Sequence, residues 1–147
     1  EIHERLVGSE MCIRDRLWIE ITERCRDLPI SMIKKTVTAF REAGIHITMD
    51  DYGTGSSSSQ MMLELPVEGI KIDMFFVKDI LEEKKKQALV IGMINFANAA
   101  DLRICIEGIE NDSLESYLRQ FDVTCFQGYH YSKPICQDEL MKLLIKP

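Results

Sequence analysis

From Leu17 onward, short apolar runs alternate with longer amphipathic stretches, and turn residues punctuate the joins. Leu17-Trp18-Ile19-Glu20-Ile21-Thr22 is rich in β-formers and reads as a strand. Pro29 and Ser31 introduce a helix through about Ala43, with Ile33, Val37 and Phe40 on one face and Gly44 where a C-cap belongs. Ile45 to Met49 is the next strand, and it closes on two adjacent aspartates, Asp50 and Asp51. Beyond a Gly/Ser-rich loop, Gln60 to Leu65 forms a helical turn stopped by Pro66, and Gly69 to Ile72 is a third strand. Lys84 to Ala100 is the longest helix, with Leu89, Met93, Phe96 and Ala97 or Ala100 facing inward and Glu82 to Lys86 as its solvated start. Leu102 to Ile106 is a strand, Asn111 or Ser113 caps a helix through about Arg119, Val123 to Phe126 is a strand, and Asp138 to Ile145 is a closing helix.

Strands alternating with helices argue for parallel βα units. Glu20, Asp50-Asp51, Lys71 with Asp73, Glu107 and Gln127 all fall at or near the C-terminal end of a strand. In a (β/α)8 barrel those ends form one rim, to which several strands contribute chemistry. An open doubly wound sheet also binds at strand ends, but at a switch point served by fewer strands. The expected fold class is therefore α/β, a partial TIM-like (β/α)8 barrel. A full barrel needs about 250 residues; 147 residues hold roughly its later five or six βα units.

Composition narrows the partners. With 46% hydrophobic and 29% charged residues the chain is globular, and its apolar runs are too short to span a membrane. A net charge of -6 with dispersed basic residues argues against DNA or RNA, whereas an anionic substrate remains open if a cation is bound. Five cysteines (Cys12, Cys25, Cys105, Cys125, Cys136) show no CxxC pair, so a reduced, cytoplasmic protein without zinc is expected. Cys105 and Cys125 lie in strand-like runs as small hydrophobes, and most of the eight methionines fall at core positions. Residues 1–16 fit no periodicity. Val7 to Asp15 back-translate to a string resembling a sequencing-library transposase adapter, so natural sequence is expected to resume near Leu17.

Two carboxylates side by side at a strand mouth repel unless something positive sits between them. Glu20, Asp50 and Asp51 offer hard oxygen ligands suited to Mg²⁺ or Mn²⁺. Two such ions clamp the attacking and leaving oxygens of an in-line phosphoryl displacement. Lys71 and Asp73 share a strand face, where a lysine can hold a water or balance phosphorane charge. Glu107 is a further ligand or a base. Taken singly, each feature has a plainer reading. Asp50-Asp51 could be a turn, Lys71-Asp73 a surface ion pair, Glu107 to Glu110 a capped turn and Gln127-Gly128 a loop. Gly53-Thr54-Gly55 lacks the remainder of a P-loop, His46 reads as a packed histidine, and His130 is at best a rim residue.

Taken together and in order, Ile19-Glu20-Ile21-Thr22-Glu23, Asp50 to Gly55, Leu65 to Asp73, Ile106 to Glu110, and Gln127-Gly128-Tyr129 with Ser132-Lys133-Pro134 resemble the EAL domain family from Leu17 to Pro147. That resemblance implies a TIM-like barrel that hydrolyses cyclic di-GMP to linear pGpG with two Mg²⁺ or Mn²⁺ ions. It implies metal ligation by Glu20, Asp50 and Asp51, with Asp73 supporting the second ion. Lys71 and Glu107 would serve the attacking water, with Gln127 and Glu110 supporting the site near substrate. Glu23 would brace the loop after Asp51 that couples dimerisation to metal binding, which makes a homodimer the expected assembly. The family's Glu-Ala-Leu strand and an Asn ligand belong upstream of Leu17, as would any membrane anchor. An active parent and an inactive isolated chain are therefore expected. The loop Ser56 to Leu63 also lacks the family's large apolar residue after the glycines. A degenerate EAL domain serving as a cyclic di-GMP receptor or protein-interaction module is the alternative. An unrelated Mg²⁺-dependent barrel enzyme is more remote.

Overall fold

The computed structural model describes residues 17–22, 28–55 and 58–144. The segment 1–16, Glu23, Cys12 and Cys25 lie outside the described residues, as do the expectations attached to them. Five parallel strands, β1 (Trp18–Thr22), β2 (His46–Tyr52), β3 (Gly69–Ile72), β4 (Arg103–Ile106) and β5 (Cys125–Phe126), run in the order β1-β2-β3-β4-β5. Six helices accompany them: α1 (Ile30–Glu42), α2 (Ser58–Glu64), α3 (Met74–Val77), α4 (Lys84–Ala99), α5 (Asp112–Leu118) and α6 (Gln137–Leu144). Each strand neighbours the next in sequence, with no reversal of order. That is the progression of a barrel wall and not of a doubly wound sheet.

Long side chains reach across the polar face of the sheet: the Arg103 guanidinium on β4 lies 5.1 Å from the Trp18 ring on β1. One face is apolar: Ile47, Met49, Ile70, Ile72, Ile104 and Ile106 are buried beneath the helices. The other carries Trp18, Glu20, Thr48, Lys71, Cys105 and Cys125 into a cavity of about 270 Å³. The period of two thus sorts a hydrophobic wall from a polar interior.

The end of the wall away from the aspartates is braced by charge. Glu68 accepts from Arg41 at 2.5 Å and contacts His46 Nδ1 at 2.6 Å, while the His46 ring stacks on Trp18 at 4.6 Å. His46 is accordingly a packed histidine, placed at the start of β2 instead of mid-strand.

Several local expectations need correction. Helix α4 buries Val90, Met93, Ile94 and Ala97, an i, i+3, i+4, i+7 stripe, and leaves Leu89 and Phe96 exposed. That stripe packs on β3 and β4, while Phe96 lies beside it and stacks on Tyr52, with ring centroids 6.2 Å apart. On α1 only Val37 is fully buried, and Phe40 is exposed. Lys86 is not merely solvated: its ammonium donates to the Lys78 carbonyl at 2.6 Å and lies 5.7 Å from the Phe75 ring. Helix α3 has no counterpart in the sequence reading, since four residues carry no periodicity. Met49, Met61, Met62 and Met93 are core residues, but Met32, Met74 and Met141 are exposed.

Candidate active site

Lys71 is the hub. Its side chain rises from the third residue of β3, is only 7% exposed, and meets carboxylates from three other segments. Its ammonium lies 2.6 Å from Glu107 after β4, 2.9 Å from Glu20 on β1 and 3.2 Å from Asp50 on β2. Burial alone would lower the Lys71 pKa. The Glu107, Glu20 and Asp50 carboxylates outweigh it and hold the ammonium well above the ordinary lysine range.

Three formal negative charges against one positive leave a surplus of two. Asp50 Oδ1 is fully buried and has no partner in hydrogen-bond geometry, although it lies 3.2 Å from the ammonium. Its compensation is the Lys71 charge, which it shares with Glu20 and Glu107. Hard oxygen donors, excess negative charge and a buried carboxylate oxygen without a partner in hydrogen-bond geometry together fit a divalent cation such as Mg²⁺ or Mn²⁺.

The aspartate pair owes its disposition to a bulge. Met49 pairs with Ile70 and Tyr52 with Ile72, so β2 spends one residue more than β3 between those rungs. Met49 and Tyr52 both pack on the helix layer, which releases Asp51 from the alternation that would aim it there. Asp51 has φ 54°, followed by Gly53 at φ 93°, and Thr54 donates to the Asp51 carbonyl from both its N–H (3.1 Å) and its hydroxyl (2.9 Å). Asp51 adopts this left-handed turn at modest cost because aspartate tolerates it better than most side chains.

Asp73 accepts from the Phe75 N–H at 2.8 Å and caps α3, a structural job that the sequence reading did not assign. Its carboxylate retains a second oxygen. Glu107, Glu110 and Gln127 converge on one rim cleft of about 220 Å³, with Met74 and Tyr129 as apolar walls. Gln127 is placed by its backbone: its N–H donates to Ile106 O (2.8 Å) and its carbonyl accepts from Ile109 N–H (3.1 Å). Gly128 makes this closeness possible, because a Cβ there would collide with the Ile109 backbone. Gly128→Ala is expected to cost about 3 kcal/mol, read as a lower urea midpoint with an unchanged slope.

His130 lies outside the Lys71 cage. It contacts Glu115 at 3.0 Å and Asp112 at 3.5 Å. Among the described residues, these three alone bring ligating atoms within 4.8 Å of one another. Around Lys71 the ammonium instead occupies the centre and spaces the carboxylates. Yet Glu115 is already engaged by Arg119 and by the Tyr131 hydroxyl at 2.9 Å, which hold its carboxyl below the usual range. Asp112 is 95% exposed. That trio is a polar cluster whose central carboxylate, Glu115, is already engaged. Sequence spacing gave no signal for it, since the residues meet only through the fold.

A parallel wall with carboxylates and a lysine gathered toward its strand ends is the arrangement of a (β/α)-barrel protein with a polar rim. A sequence model described as the EAL domain matches residues 1–134, a span that includes the segment 1–16. The chain belongs to the EAL domain family. It is 30% identical over 117 residues to the cyclic di-GMP phosphodiesterase PdeR of Escherichia coli, covering 80% of this chain and 18% of PdeR. The EAL domain of Mycobacterium smegmatis DcpA superposes with a TM-score of 0.84 at 31% identity, covering 89% of this chain and 59% of that one. Klebsiella pneumoniae BlrP1, in a complex with manganese and cyclic di-GMP, gives 0.76 at 28% identity, covering 82% of this chain and 31% of BlrP1. The chain spans about a fifth of the length of the curated relatives it matches.

Proposed function

We propose that this chain supplies the carboxylate-and-lysine wall of a metal-dependent phosphodiesterase site that hydrolyses cyclic di-GMP to linear pGpG. The observation that carries this reading is the cage of Glu20, Asp50 and Glu107 around Lys71, with its surplus negative charge. Glu20, Asp50 and Asp51 would hold the Mg²⁺ or Mn²⁺ ions, and the free oxygen of Asp73 would support the second. When bound, such ions stabilise charge on the attacking and leaving oxygens of the phosphodiester. Glu107 accepts the proton of the attacking water. The Lys71 ammonium, paired with Glu107 at 2.6 Å, would orient that water and face the charge that develops on phosphorus. Gln127 and Glu110 contact the substrate in the rim cleft, and Glu23 braces the loop after Asp51 in a homodimer.

Among the described residues no helix is long and apolar enough to cross a membrane. The free thiols of Cys105, Cys125 and Cys136 suit the reducing cytoplasm, where we place the protein. The described strands wall the site from one side only, with β1 and β5 as the outer strands. Equilibrium dialysis with cyclic di-GMP tests the reading: retention should require Mn²⁺ and disappear in Asp50→Asn. Retention indifferent to both would overturn it. Residues 1–16 we propose to be adapter-derived; genomic DNA that reads through and encodes them would contradict that.

A further inference from the structure

Cys105 on β4 and Cys125 on β5 are in direct register on neighbouring parallel strands, in the same row as Lys71. Both line the polar cavity and both are free thiols. Neighbouring strands stand about 4.8 Å apart, inside the Cα separation of about 4.4–6.8 Å that a disulfide spans. Their accessibility is unequal: Cys125 is exposed, its Sγ resting 3.8 Å from the Ile104 carbonyl, and Cys105 is half-buried. Strand β5 is short, with two residues, and among the described residues its partner is β4.

We propose that Cys105 and Cys125 form a reversible disulfide, a redox-modification site beside Lys71 on the floor of the cavity. The oxidant is a low-molecular-weight disulfide such as glutathione disulfide. The Cys125 thiolate attacks it, forming a mixed disulfide and expelling one glutathione thiolate. Cys105 then loses its proton to solvent and its sulfur attacks Cys125 Sγ, expelling the second glutathione. Two protein thiols are oxidised by two electrons, and one glutathione disulfide is reduced to two glutathiones. The product covalently ties β5, and the Gln127 that follows it, to β4. The inference stands independently of the proposed hydrolysis.

The test uses the whole chain carrying Cys136→Ser, because trypsin leaves Lys133-Pro134 uncut and would otherwise join Cys136 to the Cys125 peptide. After native incubation with glutathione disulfide and alkylation, the peptide Ile104–Arg119 should be found bonded to the peptide beginning at Gln120. Its mass should be lower by two hydrogens, and dithiothreitol should reverse the loss. Cys105→Ser should trap glutathione on Cys125. Incubation in urea should disperse the pairing among other cysteines. Overturning results would be a lasting glutathione adduct on Cys125 with Cys105 alkylated, a bond between two chains, or pairing no more selective in the native state than in urea.

Discussion

Lys71→Met is expected to lower the thermal midpoint by about 10 °C in metal-free buffer, and Mn²⁺ is expected to restore most of it. Methionine keeps the length of the side chain and removes its charge. Glu20, Asp50 and Glu107 are then left facing one another with no cation among them. Breaking a buried ion pair costs about 3–5 kcal/mol. Glu20 is 47% exposed and partly screened, so the lower end applies. For a domain of this size about 3 kcal/mol corresponds to roughly 10 °C. Divalent cation at a hundredfold excess over its Kd returns about 2.7 kcal/mol, nearly the whole deficit. Differential scanning fluorimetry in EDTA and in Mn²⁺ reads both halves. A midpoint that Mn²⁺ raises no more in the variant than in the parent chain would show that the cage does not hold the ion.

Asp50→Asn is expected to do the reverse. Without metal it should leave stability unchanged or slightly higher, because the cage loses one of its two surplus negatives while Glu20 and Glu107 still pair with Lys71. With metal it should lose affinity by more than about 100-fold, since disturbing even the residues that support a ligand costs about 10–100-fold. A carboxylate that hurts the empty protein and is needed by the loaded one marks a functional position. Isothermal titration with Mn²⁺ on parent and variant measures the second effect, and urea unfolding in EDTA the first. An Asn variant that is less stable in EDTA and equally avid for Mn²⁺ would make Asp50 a structural partner of Lys71 alone.

How far this was legible in the chain depends on the range of each interaction. Glu20, Asp50, Lys71, Glu107 and Gln127 could be placed at strand ends because a period of two and the flanking turns are local signals. That they meet required only the expectation that parallel strands share a rim. What sequence could not show was whatever register decides. The β2 bulge that separates Asp51 from the helix face is invisible in Met49-Asp50-Asp51-Tyr52, because either alternation or a bulge satisfies those four residues. The facing of Cys105 and Cys125 depends on how β5 aligns with β4. On helix α4 the sequence pointed to the stripe of Leu89 and Phe96, whereas packing on β3 and β4 buries the one containing Val90 and Ile94. The cap that Asp73 makes on α3 was hidden because a four-residue helix has no pattern to detect.

The central claim is that a divalent cation sits among the carboxylates around Lys71 and not at the Asp112, Glu115 and His130 cluster. Electron paramagnetic resonance of free Mn²⁺, titrated with the parent chain, Asp50→Asn and Glu115→Gln, tests this directly. The predicted result is saturable loss of the free-ion signal for the parent chain and Glu115→Gln, and none for Asp50→Asn. Signal loss that survives Asp50→Asn and vanishes in Glu115→Gln would contradict it.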